Sequence, residues 1–226
     1  MQTYHIAIDG PAASGKSTVA RLVAERLGGF YINTGDMYRT IARAALDAGI
    51  DPRSDPDAAA CLLSNLDLRY EAVGPGTVRL MLNGEPVKQA DIRAPEVAQV
   101  VSFVARIPRV REWLKNRQRE TRRLGTIVME GRDIGTVILP DATHKFFLTA
   151  TPEERARRRL AQKGETAEGA TVASVAAEIA ERDRIDSSRK VAPLRPAKDA
   201  IQIWSDNMTP EEVRDTMVAH VLGEVP

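Results

Sequence analysis

The chain has 226 residues, 43% of them hydrophobic and 28% charged, and its 32 basic and 31 acidic side chains leave a formal net charge of +1. This composition excludes disordered and collagen-like classes and leaves no global field to draw the chain to nucleic acid or membrane, so any charge-based function is local. The longest apolar runs fall far short of the ~20 residues of a membrane span, the first residues lack a signal-peptide pattern, and Cys61 has no second cysteine to pair with, so a cytoplasmic location is expected.

Residues 4–8 predict a short buried strand, broken by Asp9-Gly10-Pro11, and the apolar spacing of residues 16–27 predicts a helix stopped by Gly28-Gly29. A second helix is predicted over 36–48, ended by Gly49, and Asp55-Pro56 supplies the N-cap and first-turn proline of another. Cys61 lies in the apolar run 58–63 and is expected to be a core thiol. Short strands over 66–72, 78–82 and 85–87, the last two joined by Asn83-Gly84, predict a small antiparallel patch. Helical patterns resume over 95–105 and 108–123, and 126–129 and 145–148 supply further core strands. Thr151-Pro152-Glu153-Glu154 and Thr209-Pro210-Glu211-Glu212 each place Thr as N-cap, Pro in the first turn and Glu three residues after the cap. Between them, 163–169 is polar and Gly-punctuated, which predicts a mobile flap, and 200–204 is a last strand.

Gly10-Pro11-Ala12-Ala13-Ser14-Gly15-Lys16-Ser17 has the spacing Gly, four residues, Gly-Lys-Ser, and it sits between a predicted strand and a predicted helix. In such a phosphate loop, or P-loop, backbone N–H groups and the positive helix end wrap a phosphate chain. Lys16 then reaches the β- and γ-phosphates and the Ser17 hydroxyl ligates Mg²⁺. The expected fold is therefore α/β: a P-loop NTPase-like parallel sheet flanked by helices. Residues 1–64 and 94–226 form its core, 65–93 a small antiparallel insert contributing to acceptor binding, and 155–190 a mobile helical lid.

Of the 32 basic residues 25 are Arg, the side chain suited to planar, bidentate contact with phosphate. An acceptor that is itself a phosphate monoester would need convergent cations to offset its repulsion from the donor. Arg39, Arg111, Arg132 and the clusters 155–159 and 182–189 are the candidates. Arg132 stands out because it follows an apolar strand at its carboxyl end, where open α/β sheets place their ligands.

These segments resemble the bacterial cytidylate kinase family, nucleoside monophosphate kinases of pyrimidine metabolism. The resemblance runs through Asp9-Gly-Pro-Ala12, Thr34-Gly-Asp-Met-Tyr-Arg39, Ser102, Arg111, Gly131-Arg-Asp-Ile-Gly-Thr136, Glu153 to Arg159, and Arg182 through Leu194. It implies transfer of the γ-phosphoryl of ATP to CMP or dCMP by a monomeric enzyme using Mg²⁺, with no nucleic acid or membrane partner. By this likeness Arg39 and Arg132 grip the CMP phosphate, Ser102, Arg111 and Asp133 read the cytosine edge, and Thr34 seats the nucleotide. Asp186 accepts from ribose hydroxyls, with Arg182 and Arg189 bridging sugar and phosphates. ATP would lie on Gly10 through Thr18 with Arg157, and Lys16, Arg132 and Arg158 would act on the transferring group. Three places depart from the family's usual pattern: Asn33 is neutral; Glu130 is read as a strand-end surface carboxylate, with water-mediated Mg²⁺ support as its other reading; and Trp204 is read as a core filler.

Two alternatives share the loop: a kinase for another small acceptor such as UMP, and a regulatory nucleotide switch without turnover. A non-enzyme alternative is an RNA-binding module using the basic segment 106–123, against which stands the low aromatic content, 4%. His5, His144 and His220 lie outside every motif and are read as structural or surface residues.

Overall fold

The computed structural model describes residues 3–162, 166 and 169–224. Five strands, β1 (His5–Asp9), β2 (Phe30–Asn33), β6 (Ile127–Gly131), β7 (His144–Thr149) and β8 (Ile201–Trp204), form one wholly parallel sheet in the order β2-β6-β1-β7-β8. Strand β1 is central and buried on both faces, which is why Ile6-Ala7-Ile8 runs apolar rather than alternating. Helices α1 (Lys16–Arg26) and α9 (Pro210–Leu222) cover one face, packing on Ile6, Ile8, Phe146 and Ile203. The turn 134–142 packs the other face on Ala7, Ile32 and Met129. Among the described residues no helix is long and apolar enough to cross a membrane.

A second core joins α2 (Thr34–Asp47), α3 (Pro56–Cys61), α5 (Pro95–Val104) and α6 (Pro108–Glu120) to the antiparallel sheet β3 (Leu68–Gly74), β4 (Thr77–Leu82), β5 (Glu85–Pro86). Met37, Ile41, Leu68, Leu80, Val97 and Leu114 meet in it, so segment 65–93 is anchored through the inward face of its hairpin. A short helix, α4 (Gln89–Arg93), ends that segment. Helices α7 (Pro152–Leu160) and α8 (Val172–Ser187) pack on each other beside the central strands, Ala156 against Val175 and Ile179. Of the flap expected over 163–169, only Thr166 and Gly169 lie within the described residues.

Several expectations are corrected. Strand β2 and helix α4 were not anticipated, and α2 begins at Thr34, capped by Asn33, whose side chain accepts the Asp36 N–H at 3.3 Å. Cys61 is exposed because the short α3 turns Ala59 and Ala60 inward and the next residue outward. Trp204 is 62% exposed: β8 is an edge strand, and Ile203 takes the inward face that Trp204 therefore leaves. Glu130 is buried at the end of β6, where the Tyr31 hydroxyl donates to it. The histidines lie outside the cleft described below; His144 meets Tyr4 and His220 meets Phe146 edge-on.

Candidate active site

The loop after β1 is held open as a ring of backbone. Gly10 passes so close to β7 that a Cβ there would sit 2.0 Å from the Leu148 carbonyl oxygen, and Gly15 caps α1 at φ 88°. Lys16 folds back over the ring, its Nζ donating to the Pro11 carbonyl at 2.6 Å and the Ser14 hydroxyl at 3.1 Å. Burial, reinforced by the neighbouring Arg132 charge, pulls its amine down to about 7. The ring is braced from the α7–α8 side. Asp183 accepts the Ala12 N–H at 3.0 Å and pairs with Arg155, which donates to the Ala12 and Ala150 carbonyls. Arg158 donates to the Ser14 carbonyl at 3.4 Å and to the Ser205 hydroxyl and carbonyl at 3.0 and 2.7 Å.

A single cleft runs from this ring to α2 and α5. It is lined by Ala12 through Thr18 and by Thr34, Arg39, Ser102, Arg132, Asp133, Arg182, Asp186 and Arg189, all expected site residues from distant stretches of chain. Its non-protein space of about 960 Å³ includes open solvent at the mouth of the cleft. Arg111 stands behind the lining, buried and paired with buried Asp133, its guanidinium 5.7 Å from the centre of the Tyr38 ring. Gly10 and Pro11 lie beneath the cleft surface, and neither Arg157 nor Arg158 lines it. Arg157 points outward to Glu153 at 2.7 Å, with its side chain 62% exposed.

Electrostatically the cleft is a cation cluster. Burial and then the facing guanidiniums of Arg182, Arg93 and Arg159 hold Arg39 well below the usual arginine range, and burial and Arg132 bring Arg182 down to about 10. Nε of Arg182 and one terminal nitrogen of Arg189 are buried with no hydrogen-bond acceptor. Buried donors without acceptors, among cations that repel one another, define a place for a multiply charged anion. Asp186 offsets part of this charge, binding Arg132 Nε at 3.1 Å; burial raises its carboxyl, but Arg132, Arg189 and Arg182 outweigh that and hold it below the ordinary range. Asp133 goes the other way, raised by burial against the opposing pull of Arg111 and Arg189.

Two cleft cations were missed or left without a role. Arg93, from α4, is steered in by a salt bridge to Asp36. Arg159 lines the cleft although the sequence singles out Arg157 and Arg158 beside it. Arg159 lies three residues after buried Ala156 and shares its helix face, a phase that Arg157 and Arg158 do not have. Glu130 and Tyr31 were also missed as a pair; burial and the Glu130 charge raise the Tyr31 phenol, which stays a donor.

The basic segment 106–123 does not form a free surface stripe. Arg111 is buried, Arg117 stacks 3.4 Å from the centre of the Trp113 ring, Arg119 donates to the Val137 and Ile138 carbonyls at 2.9 Å, and Arg122 pairs with Asp141. Trp113 itself packs against the second core and anchors α6.

A phosphate loop on a central parallel strand, facing a set of convergent guanidiniums across one cleft, defines a phosphotransferase. The family model for cytidylate kinase matches residues 6–222, and the chain belongs to that family. It is 48% identical over 221 residues to a cytidylate kinase of Pelotomaculum thermopropionicum, covering 96% of this chain and 95% of that one. It is 41% identical over 221 residues to a cytidylate kinase of Oceanobacillus iheyensis, covering 97% and 94%. A bifunctional pantoate ligase/cytidylate kinase of Prochlorococcus marinus is 46% identical over 224 residues, which span 98% of this chain and 44% of that protein.

Proposed function

We propose that the protein transfers the γ-phosphoryl group of ATP to CMP and dCMP, giving CDP and dCDP by direct displacement. The observation that carries this reading is the convergence of Arg39, Arg132, Arg159, Arg182 and Arg189 with Lys16 on one cleft, where two of the guanidiniums keep buried donors without acceptors. Two multiply charged phosphates about 5 Å apart repel by on the order of 10 kcal/mol at an effective dielectric of about 20, and these cations offset it.

In this reading the ring from Gly10 to Thr18 holds the ATP phosphates, and Arg39 and Arg132 hold the acceptor's phosphate. Ser102, Asp133 and Arg111 read cytosine, whose exocyclic amine lies beside two acceptor atoms and so complements a carboxylate next to a guanidinium. Thr34 seats the nucleotide, and Asp186 accepts from the ribose between Arg182 and Arg189. Arg159 faces the cleft and is better placed than Arg158 to follow the transferring group, while Arg158 braces the loop through Ser14 and Ser205. No general base is required, because the attacking oxygen already belongs to an anion; positioning and electrostatics carry the rate. The oxygen donors Ser17 and Glu130 line the same cleft and fit Mg²⁺, a hard ion that keeps several of its own waters. When bound, it neutralises charge across the β- and γ-phosphates.

A panel of CMP, dCMP, UMP, AMP and GMP offered with Mg-ATP, read by ADP production, tests the reading. CMP and dCMP are expected to give the highest kcat/KM; equal use of all five, or ADP release independent of any acceptor, rejects it. Lys16 provides a separate test. Its amine, pulled down to about 7 in the free protein, is largely neutral at pH 8.5 and protonated at pH 6. The bound phosphates favour the ammonium form, so ATP binding at pH 8.5 takes up about one proton and binding at pH 6 draws none for Lys16. Calorimetry in two buffers of different ionisation enthalpy measures this, and zero uptake at pH 8.5 contradicts it.

A further inference from the structure

Asp9 is the last residue of β1, directly before Gly10, and is 3% exposed. Its two carboxylate oxygens accept two consecutive backbone N–H groups, Ile134 at 2.7 Å and Gly135 at 2.8 Å. Those donors open the one-turn helix Ile134–Ile138, in which Asp133 occupies the N-cap position. An aspartate there ordinarily accepts such N–H groups itself. Asp133 makes no capping bond, and its carboxylate pairs with buried Arg111 instead. The corner is tight on its other side as well: a Cβ on Gly131 would lie 2.6 Å from the Thr34 hydroxyl oxygen and 2.7 Å from Ile134 Cδ1.

We infer that Asp9 is a positioning residue for acceptor recognition: it caps the 134–138 turn from the neighbouring strand and so leaves the Asp133 carboxylate free to face Arg111 and the acceptor's base. The inference rests on the reading above, in which Asp133 contacts cytosine. It also ties the two halves of the site together, because one residue joins the start of the donor loop to the corner that carries Arg132 and Asp133. Burial raises the Asp9 carboxyl to about 7, the two N–H bonds resist that rise, and Asp133 and Lys16 are the charges that act on it. The carboxylate is thus kept in an unfavourable setting by the two donors it satisfies.

Asp9→Asn tests this, since its amide keeps the size but turns an N–H₂ toward one of the two N–H groups. Asp133 is then drawn back to cap its own turn. KM for CMP rises about 10-fold and the preference for CMP over UMP in kcat/KM falls about 10-fold, while KM for ATP stays within about 3-fold. An unchanged preference, including an equal loss with CMP and UMP, overturns the inference. If Asp9→Asn does not fold, amide hydrogen exchange in the unaltered protein decides: slow exchange at Ile134 and Gly135 supports the cap, and exchange as fast as in exposed loops overturns it. Should the unaltered protein use CMP and UMP equally, it is the cytosine-reading assignment that fails, and the cap is then judged by exchange alone.

Discussion

Replacing Lys16 by Met is expected to lower kcat about 10³-fold with little loss of fold, because in the proposed reading it removes the loop's cation beside the transferring phosphoryl group. Methionine matches the length of the aliphatic stem, and Lys16 sits in a setting that already disfavours its charge, so deleting the ammonium relieves a desolvation cost. Against that, the Pro11 carbonyl and Ser14 hydroxyl each lose a partner, a loss of about 1–3 kcal/mol per group, and the two effects offset each other in the free protein. In the complex nothing cancels, since charge spreading over the equatorial oxygens has lost its nearest cation on the loop side. KM for CMP is expected to stay within about 3-fold, because the residues assigned to the base in the proposed reading lie on other elements. Single-turnover rates with saturating Mg-ATP and CMP check this; a kcat within 10-fold of the unaltered protein would remove Lys16 from the chemistry.

What the sequence made legible was contiguous. The phosphate loop announces itself because the ring needs glycine at fixed spacing, and Thr151 and Thr209 mark their helix starts because a cap, a proline and a glutamate act within four residues. Strand β2 escaped because four residues between Gly29 and the start of α2 are too few to display a period. Glu130 reads as a surface charge until the fold brings the Tyr31 hydroxyl to it, 99 residues away in sequence. Arg93 is directed by Asp36 across 57 residues, and Asp9 meets Ile134 across 125. None of those pairings has a local signature. The arginine run 157–159 shows the intermediate case, in which composition gives the right neighbourhood while the choice of side chain waits on helical phase. Core volume also misleads at an edge: Ile203 takes the inward face of β8, which leaves Trp204 pointing outward, and among the described residues no further strand flanks β8.

Asp133→Ala separates recognition from stability, because its two consequences have different cures. The carboxylate and Arg111 are both nearly buried and face each other, so removing the acid strands a guanidinium in low dielectric and is expected to cost about 3–5 kcal/mol of folding free energy. The same change is expected to lower kcat/KM for CMP about 10²- to 10³-fold, with KM for ATP within about 3-fold. Adding Arg111→Met removes the stranded charge. Denaturant unfolding of the double variant is expected to recover most of the lost stability, since replacing both members of a buried pair by apolar groups is often neutral. CMP use is not expected to recover, because the double variant still offers neither an acceptor for the exocyclic amine nor a donor for the ring oxygen and nitrogen. Recovery of both together would mean that Asp133 serves only the fold, and the cytosine reading would then have to move to other residues of the cleft.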